Sequence, residues 1–121
     1  MIILSIILIV ISGISKAICD VSSINGQQDK LYTWGNLWWR KSISSNNKYK
    51  NRDPKQGPAF FGSTTFLVWL TDAWHLFDFL RDLSIAVAMF LCPEIWVLIG
   101  EYALKQVIFE FTFRWLRIPY K

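Results

Sequence analysis

The apolar residues of this chain fall into two blocks, 1–19 and 59–118, parted by a polar, basic stretch, and that division constrains the fold more than any motif does. With 121 residues there is room for one domain at most. With 53% hydrophobic side chains there is too little polar surface to cover both blocks in water. The chain therefore reads as an all-α integral membrane protein. Its expected parts are an N-terminal transmembrane helix over 1–19, a basic loop over 20–58, and an antiparallel helical hairpin with a basic tail over 59–121.

The first block, MIILSIILIVISGISKAICD, has one interrupting charge, Lys16, near its end. Its length is close to the roughly 20 residues that cross a bilayer. A cleaved signal peptide competes with an anchor here, because Ser15 and Ala17 are small residues placed before a cut. Secretory signals carry basic residues ahead of the apolar core, and this stretch carries none. No lipobox-like pattern precedes Cys19 either. The expectation is an uncleaved helix, with residues 1–17 retained.

The middle block holds turn signals at Asn25-Gly26, Asp53-Pro54 and Gly57-Pro58. Between them lies YTWGNLWWRK. Trp34, Trp38 and Trp39 beside Arg40 and Lys41 suit a membrane interface, where rings sit at headgroup level and cations reach phosphates. The same residues suit an aromatic cluster packed on the hairpin that follows. Lys30, Arg40, Lys41, Lys48, Lys50, Arg52 and Lys55 make the loop strongly basic, and basic loops stay in the cytoplasm. Met1 is then outside, and the natural location is a bacterial inner membrane.

The second block is too long for one span and breaks at Cys92-Pro93-Glu94, where proline removes a donor and clashes with the preceding turn. One helix is expected over 65–91 and another over 95–113, with Pro93 at the outer turn, giving three spans in all. Cys19 and Cys92 fall on opposite membrane faces in this topology, so no disulfide is expected.

Within the second block, TDAWHLFDFLRD is unexpectedly polar. On a helix, His75, Asp78 and Asp82 share a stripe about 60° wide, with Asp72 nearby and Trp69, Trp74 and Phe79 elsewhere. An ionised group in hydrocarbon costs several kcal/mol unless it pairs, faces water or reaches the interface. Folding the hairpin at Pro93 sets Asp82 opposite Lys105, Asp78 near Glu110, and Asp72 opposite Arg114 and Arg117. Glu101 with Lys105 and Glu110 with Arg114 are further pairs at i, i+4 with the acid first. The stripe is expected to act as polar glue between two helices. A rival reading makes Asp72, His75, Asp78 and Asp82 a proton or ion path or a metal site. A third lays the helices flat on the bilayer.

The stretches ISKAICDV, NKYKNRDPKQGPAFFGSTT and FLVWLTDAWHLFDFL resemble a group of short membrane proteins of tailed phages and Bacteroidetes-type hosts. The resemblance covers roughly residues 14–80, with GSTT and TDAWHLF its specific part. It implies a small multi-span membrane protein and brings no activity.

The net charge of +4 does not point to nucleic acid, because the basic residues form no aromatic-interleaved binding motif. P-loop, GxGxxG and G-x-S-x-G patterns are absent from the sequence, so nucleotide and hydrolase chemistry have no support and no cofactor is implied. The expected role is non-enzymatic, structural or interactive. The partners are the lipid bilayer and a membrane protein that the sequence does not specify, and no oligomeric state is set.

Overall fold

The computed structural model describes residues 1–24 and 29–118. The Asn25-Gly26 turn and the last residues of the basic tail lie outside them. Three long helices dominate: α1 (Ile2–Ser22), α5 (Ala73–Leu91) and α6 (Ile95–Arg117). Between α1 and α5 the chain forms short helices α2 (Lys30–Trp34), α3 (Asn36–Trp39) and α4 (Lys41–Ser44), followed by single 3₁₀ turns. Among the described residues there is no strand, only an isolated bridge between Tyr49 and Pro58 that closes the charged loop.

Each long helix has a local cause. α1 runs three residues past its apolar block because Lys16 and Asp20, one turn apart, pair at 2.8 Å. α5 starts at Ala73 rather than at residue 65 as expected. Asp72 has extended backbone, and its carboxylate accepts from the His75 amide at 2.9 Å, so it is an N-cap. Ahead of it, Thr71 Oγ1 donates to the Val68 carbonyl at 2.7 Å and holds residues 68–70 in a 3₁₀ turn. The break at Pro93 falls where expected: α5 ends at Leu91 and α6 begins at Ile95.

The packing corrects the expected hairpin. α5 and α6 hardly touch each other, and α1 packs along both of them. Ser5 Oγ lies 3.4 Å from the Ala88 carbonyl, and Cys19 Sγ lies 3.5 Å from the Trp74 carbonyl, so α1 and α5 are antiparallel. Ser5 also donates to Glu101, and Gly13 sits against Lys105 and Ile108, so α1 and α6 run parallel. The face of α1 that makes these contacts is small: Ser5, Ser12, Gly13, Ser15 and Ala17 are buried. A Cβ on Gly13 would lie 2.9 Å from the Lys105 carbonyl oxygen. This backbone approach is why a third helix fits between α5 and α6.

The interior changes along the bundle. At one end Ala17, Ile18, Val21, Leu31 and Leu116 form an apolar cluster, flanked by Trp39, Phe77, Phe109 and Phe113. Toward Pro93 the buried residues are instead Ser5, Ile9, Ser12, Ser84, Ala88 and Glu101. The outer surface is the inverse. Ile3, Ile7, Ile11 and Ile14 of α1, Leu83 and Phe90 of α5, and Trp96 and Phe111 of α6 are exposed, Phe90 by 85%. Both cysteines are free and buried, and they lie at opposite ends of α5.

Gly13→Leu forces α1 and α6 apart, because the clash is with backbone. Overpacking of this kind costs about 1–3 kcal/mol. A thermal melt of the detergent-purified variant is expected to show a lower midpoint with helical content retained, and an unchanged midpoint would mean α1 does not pack on α6 as described.

Candidate functional site

The residues singled out in TDAWHLFDFLRD divide into two groups. Asp72 is 1% exposed and belongs to the start of α5. One carboxylate oxygen caps the helix, and the other lies 2.7 Å from His75 Nδ1. Asp72 therefore does not meet Arg114 or Arg117, because a helix N-terminus with its free amide groups is the nearer and more directional partner.

His75, Asp78 and Asp82 do share one face. They line an open groove of about 470 Å³ with Val68, Trp69, Phe79, Leu83 and Ala86. Trp69 and Phe79, expected elsewhere, stack at 4.8 Å beside the polar residues, because the 3₁₀ turn folds Trp69 back over the helix. Arg81 joins the group, 2.8 Å from Asp78 and 2.8 Å from Asp82. The acids of the stripe thus find their cation on their own helix.

Asp82 was expected to face Lys105, and the structure assigns it to Arg81 instead. The cause is α1: it separates α5 from α6, and Lys105 turns to the Tyr102 ring, 5.8 Å from its centroid. Asp78 likewise pairs with Arg81, while Glu110 binds Arg114 at 2.5 Å as the i, i+4 spacing suggests. Glu101 does not pair with Lys105. It is buried, 5% exposed, and accepts from Ser5, with its second oxygen unpartnered. Arg117 lies over the Phe113 ring. No group of three His, Cys, Asp or Glu among the described residues is arranged to hold a metal ion.

The basic aromatic segment packs on the bundle. Trp39 stacks on Phe77 at 5.9 Å, Trp34 and Trp38 meet Trp39 edge-on at 5.1 and 5.0 Å, and Lys41 Nζ lies 3.3 Å from the Trp74 centroid. Trp34 remains exposed and reaches Trp115 of α6. Arg40 corrects the expectation of a headgroup anchor: it is 4% exposed. Its guanidinium pairs with buried Asp29 at 2.6 Å and donates to the Val21 and Ile24 carbonyls at 3.2 and 2.5 Å. Those carbonyls end α1, where a cation is favoured by both their free lone pairs and the helix dipole. Asp29 in turn caps α2 through the Tyr32 amide. One buried ion pair thus ties the loop to the end of α1.

Sequence reasoning missed Asp29 and the buried serines, and it gave Glu101 a partner, Lys105, whose place Ser5 takes. The serines carried a signal, since Ser5, Ser12, Ser15 and Ser22 recur at helical spacing on one face of α1. The burial of Asp29 and the Ser5 contact of Glu101 carried none, because only the folded chain brings Arg40 and Ser5 to them.

A double-mutant cycle tests the reassigned partners. Asp82→Ala with Lys105→Ala is expected to give additive losses of thermal stability. Asp82→Asn with Arg81→Gln is expected to couple by a few tenths of a kcal/mol, the size usual for half-exposed pairs. Coupling between Asp82 and Lys105 instead would restore the hairpin register read from the sequence.

Comparison with protein-family models, with curated proteins and with solved structures finds no match, so the arrangement of the chain's own side chains carries the functional argument.

Proposed function

We propose that this chain is a small integral membrane protein with a non-enzymatic structural or interaction role, in which α1, α5 and α6 cross the bilayer as one bundle. The observation that carries the reading is the inverted distribution of side chains. In the half of the bundle toward Pro93, small hydroxyls and a carboxylate are inside, and Ile, Phe and Trp are outside. In water such an arrangement would lose hydrophobic stabilisation and bury polar groups at a cost. In lipid it is favourable: tails solvate the aliphatic exterior, and small polar residues let helices approach and bond across.

Three further features support it. Among the described residues α1 is the one helix long and apolar enough to cross a membrane by itself, with mean hydropathy 2.5. α5 and α6 carry more charge, and they gain their place by packing along it. The helix directions alternate so that Met1 and Pro93 share one end, while the basic loop, Arg114 and Arg117 share the other. That is the asymmetry of a protein inserted with its basic side in the cytoplasm. Trp34, Trp38 and Lys41 then form a collar at the cytoplasmic boundary.

The groove on α5 favours a packing or contact role over conduction. Its polar residues stop at Asp82, and the following turns of α5 present Leu83, Val87 and Phe90. A proton path needs polar groups along its whole length.

Alkaline carbonate washing of membranes is expected to leave the chain in the pellet. With Cys19→Ser and Cys92→Ser as background, Glu94→Cys is expected to react with an impermeant maleimide on intact cells, and Gln56→Cys only after permeabilisation. The opposite labelling would invert the topology. Intact-mass measurement of purified protein is expected to retain residues 1–17, since their loss would remove the helix on which α5 and α6 pack. A species starting at Ile18 would identify a signal peptide.

A further inference from the structure

We infer that α6 pairs with α6 of a second copy of this chain, through a seam formed by Trp96, Gly100, Ala103, Val107, Glu110 and Arg114. The inference rests on the membrane reading above. α6 meets α1 through Glu101 and Ile108, and the seam lies on the other side of the helix, where all six residues are exposed. Their numbers step by four and three in alternation. That is the repeat with which two helices wind around each other in a left-handed pair.

The composition of this face sets it apart from a surface made for lipid. α1 turns outward a row of bulky aliphatics, Ile3, Ile7, Ile11 and Ile14. Along its seam α6 sets a glycine, an alanine and an ion pair among Trp96 and Val107, while its other outward positions, Ile99, Tyr102 and Phe111 among them, are bulky. Gly100 is in the body of a helix, where glycine costs about 1 kcal/mol relative to alanine. A Cβ there would meet nothing within 4 Å, so no packing inside the monomer calls for glycine. A second helix does call for it, because small residues let two backbones come close in a bilayer. Ala103 continues the same close face one turn later.

The charges select the partner. Arg114 Nε holds Glu110 at 2.5 Å, and both side chains are more than half exposed, at 77% and 52%. Among the described residues Glu110 is the one carboxylate that pairs with Arg114, and the contact is made through Nε, which leaves the two terminal nitrogens of the fork facing outward. In a parallel pair related by a two-fold axis, each Arg114 reaches one turn back to the mate's Glu110. Two acids and two guanidinium groups then close a neutral network, and the surface is its own complement. Copies inserted with one topology point the same way, so the pair is parallel.

The test uses the full-length chain in native membranes, with Cys19→Ser and Cys92→Ser as background. Ala103→Cys is expected to form a disulfide-linked dimer under mild oxidation, and Tyr102→Cys, exposed but off the seam, is not. Adding Gly100→Leu to Ala103→Cys is expected to reduce the dimer severalfold. Glu110→Arg and Arg114→Glu, each in the Ala103→Cys chain, are expected to lose the dimer separately and to recover it when co-expressed with different tags. Recovery in trans cannot come from a pair within one helix. A chain that resists carbonate extraction but links equally at 102 and 103, or not at all, overturns the pairing and leaves the membrane reading standing. Linkage of Ala103→Cys to a different protein also overturns it. A chain released by carbonate overturns the membrane reading and the pairing with it.

Discussion

Everything in this fold depends on how closely α1 approaches its two neighbours. Gly13 and the serines of one face leave so little side chain that the Lys105 carbonyl oxygen comes within 2.9 Å of where a Cβ on Gly13 would lie. α5 and α6 then need not meet each other, because each is satisfied by α1. Close approach also turns weak polar contacts into useful ones. Ser5 reaches across to both the Ala88 carbonyl and Glu101, tying three helices at one point near the Pro93 end.

The two ends of the bundle are held by different physics. Toward Pro93 the interior is small and polar, and cohesion comes from close backbones and hydrogen bonds. At the loop end it is apolar and aromatic, with Leu31 and Trp39 of the loop packed under Leu116, Phe77 and Phe113. Arg40 fastens this end by a different means, neutralising Asp29 and donating to the Val21 and Ile24 carbonyls at the end of α1. A buried ion pair is weak evidence for stability but a strong constraint on geometry, since either partner alone would be left uncompensated. Here the geometry so constrained is the placement of the loop on the bundle.

The polar residues of α5 show how local partners outcompete distant ones. Arg81 is one and three residues from the acids it binds, so little chain entropy is lost in bringing them together. Asp72 finds the amide of His75 because a helix start exposes amides that need an acceptor. A pairing across two helices would need both helices in contact, and α1 removes that contact.

What the sequence determined by itself is the set of long helices and the break between the last two. Apolar runs and Pro93 act locally, through hydrophobic length and a missing donor, so they are legible one residue at a time. The grouping of His75, Asp78 and Asp82 on one face was legible for the same reason, since helical periodicity needs no partner. The start of α5 was misplaced because Asp72 reads as one more charge until its cap is seen. The order of packing was decided by tertiary structure alone. Whether α6 lies against α5 or α1 turns on the fit of small residues across helices far apart in the chain. The fates of Arg40, Glu101 and Lys105 follow from that fit rather than from their own neighbours, which is why an arginine that looks like a headgroup anchor ends as a buried cap on α1.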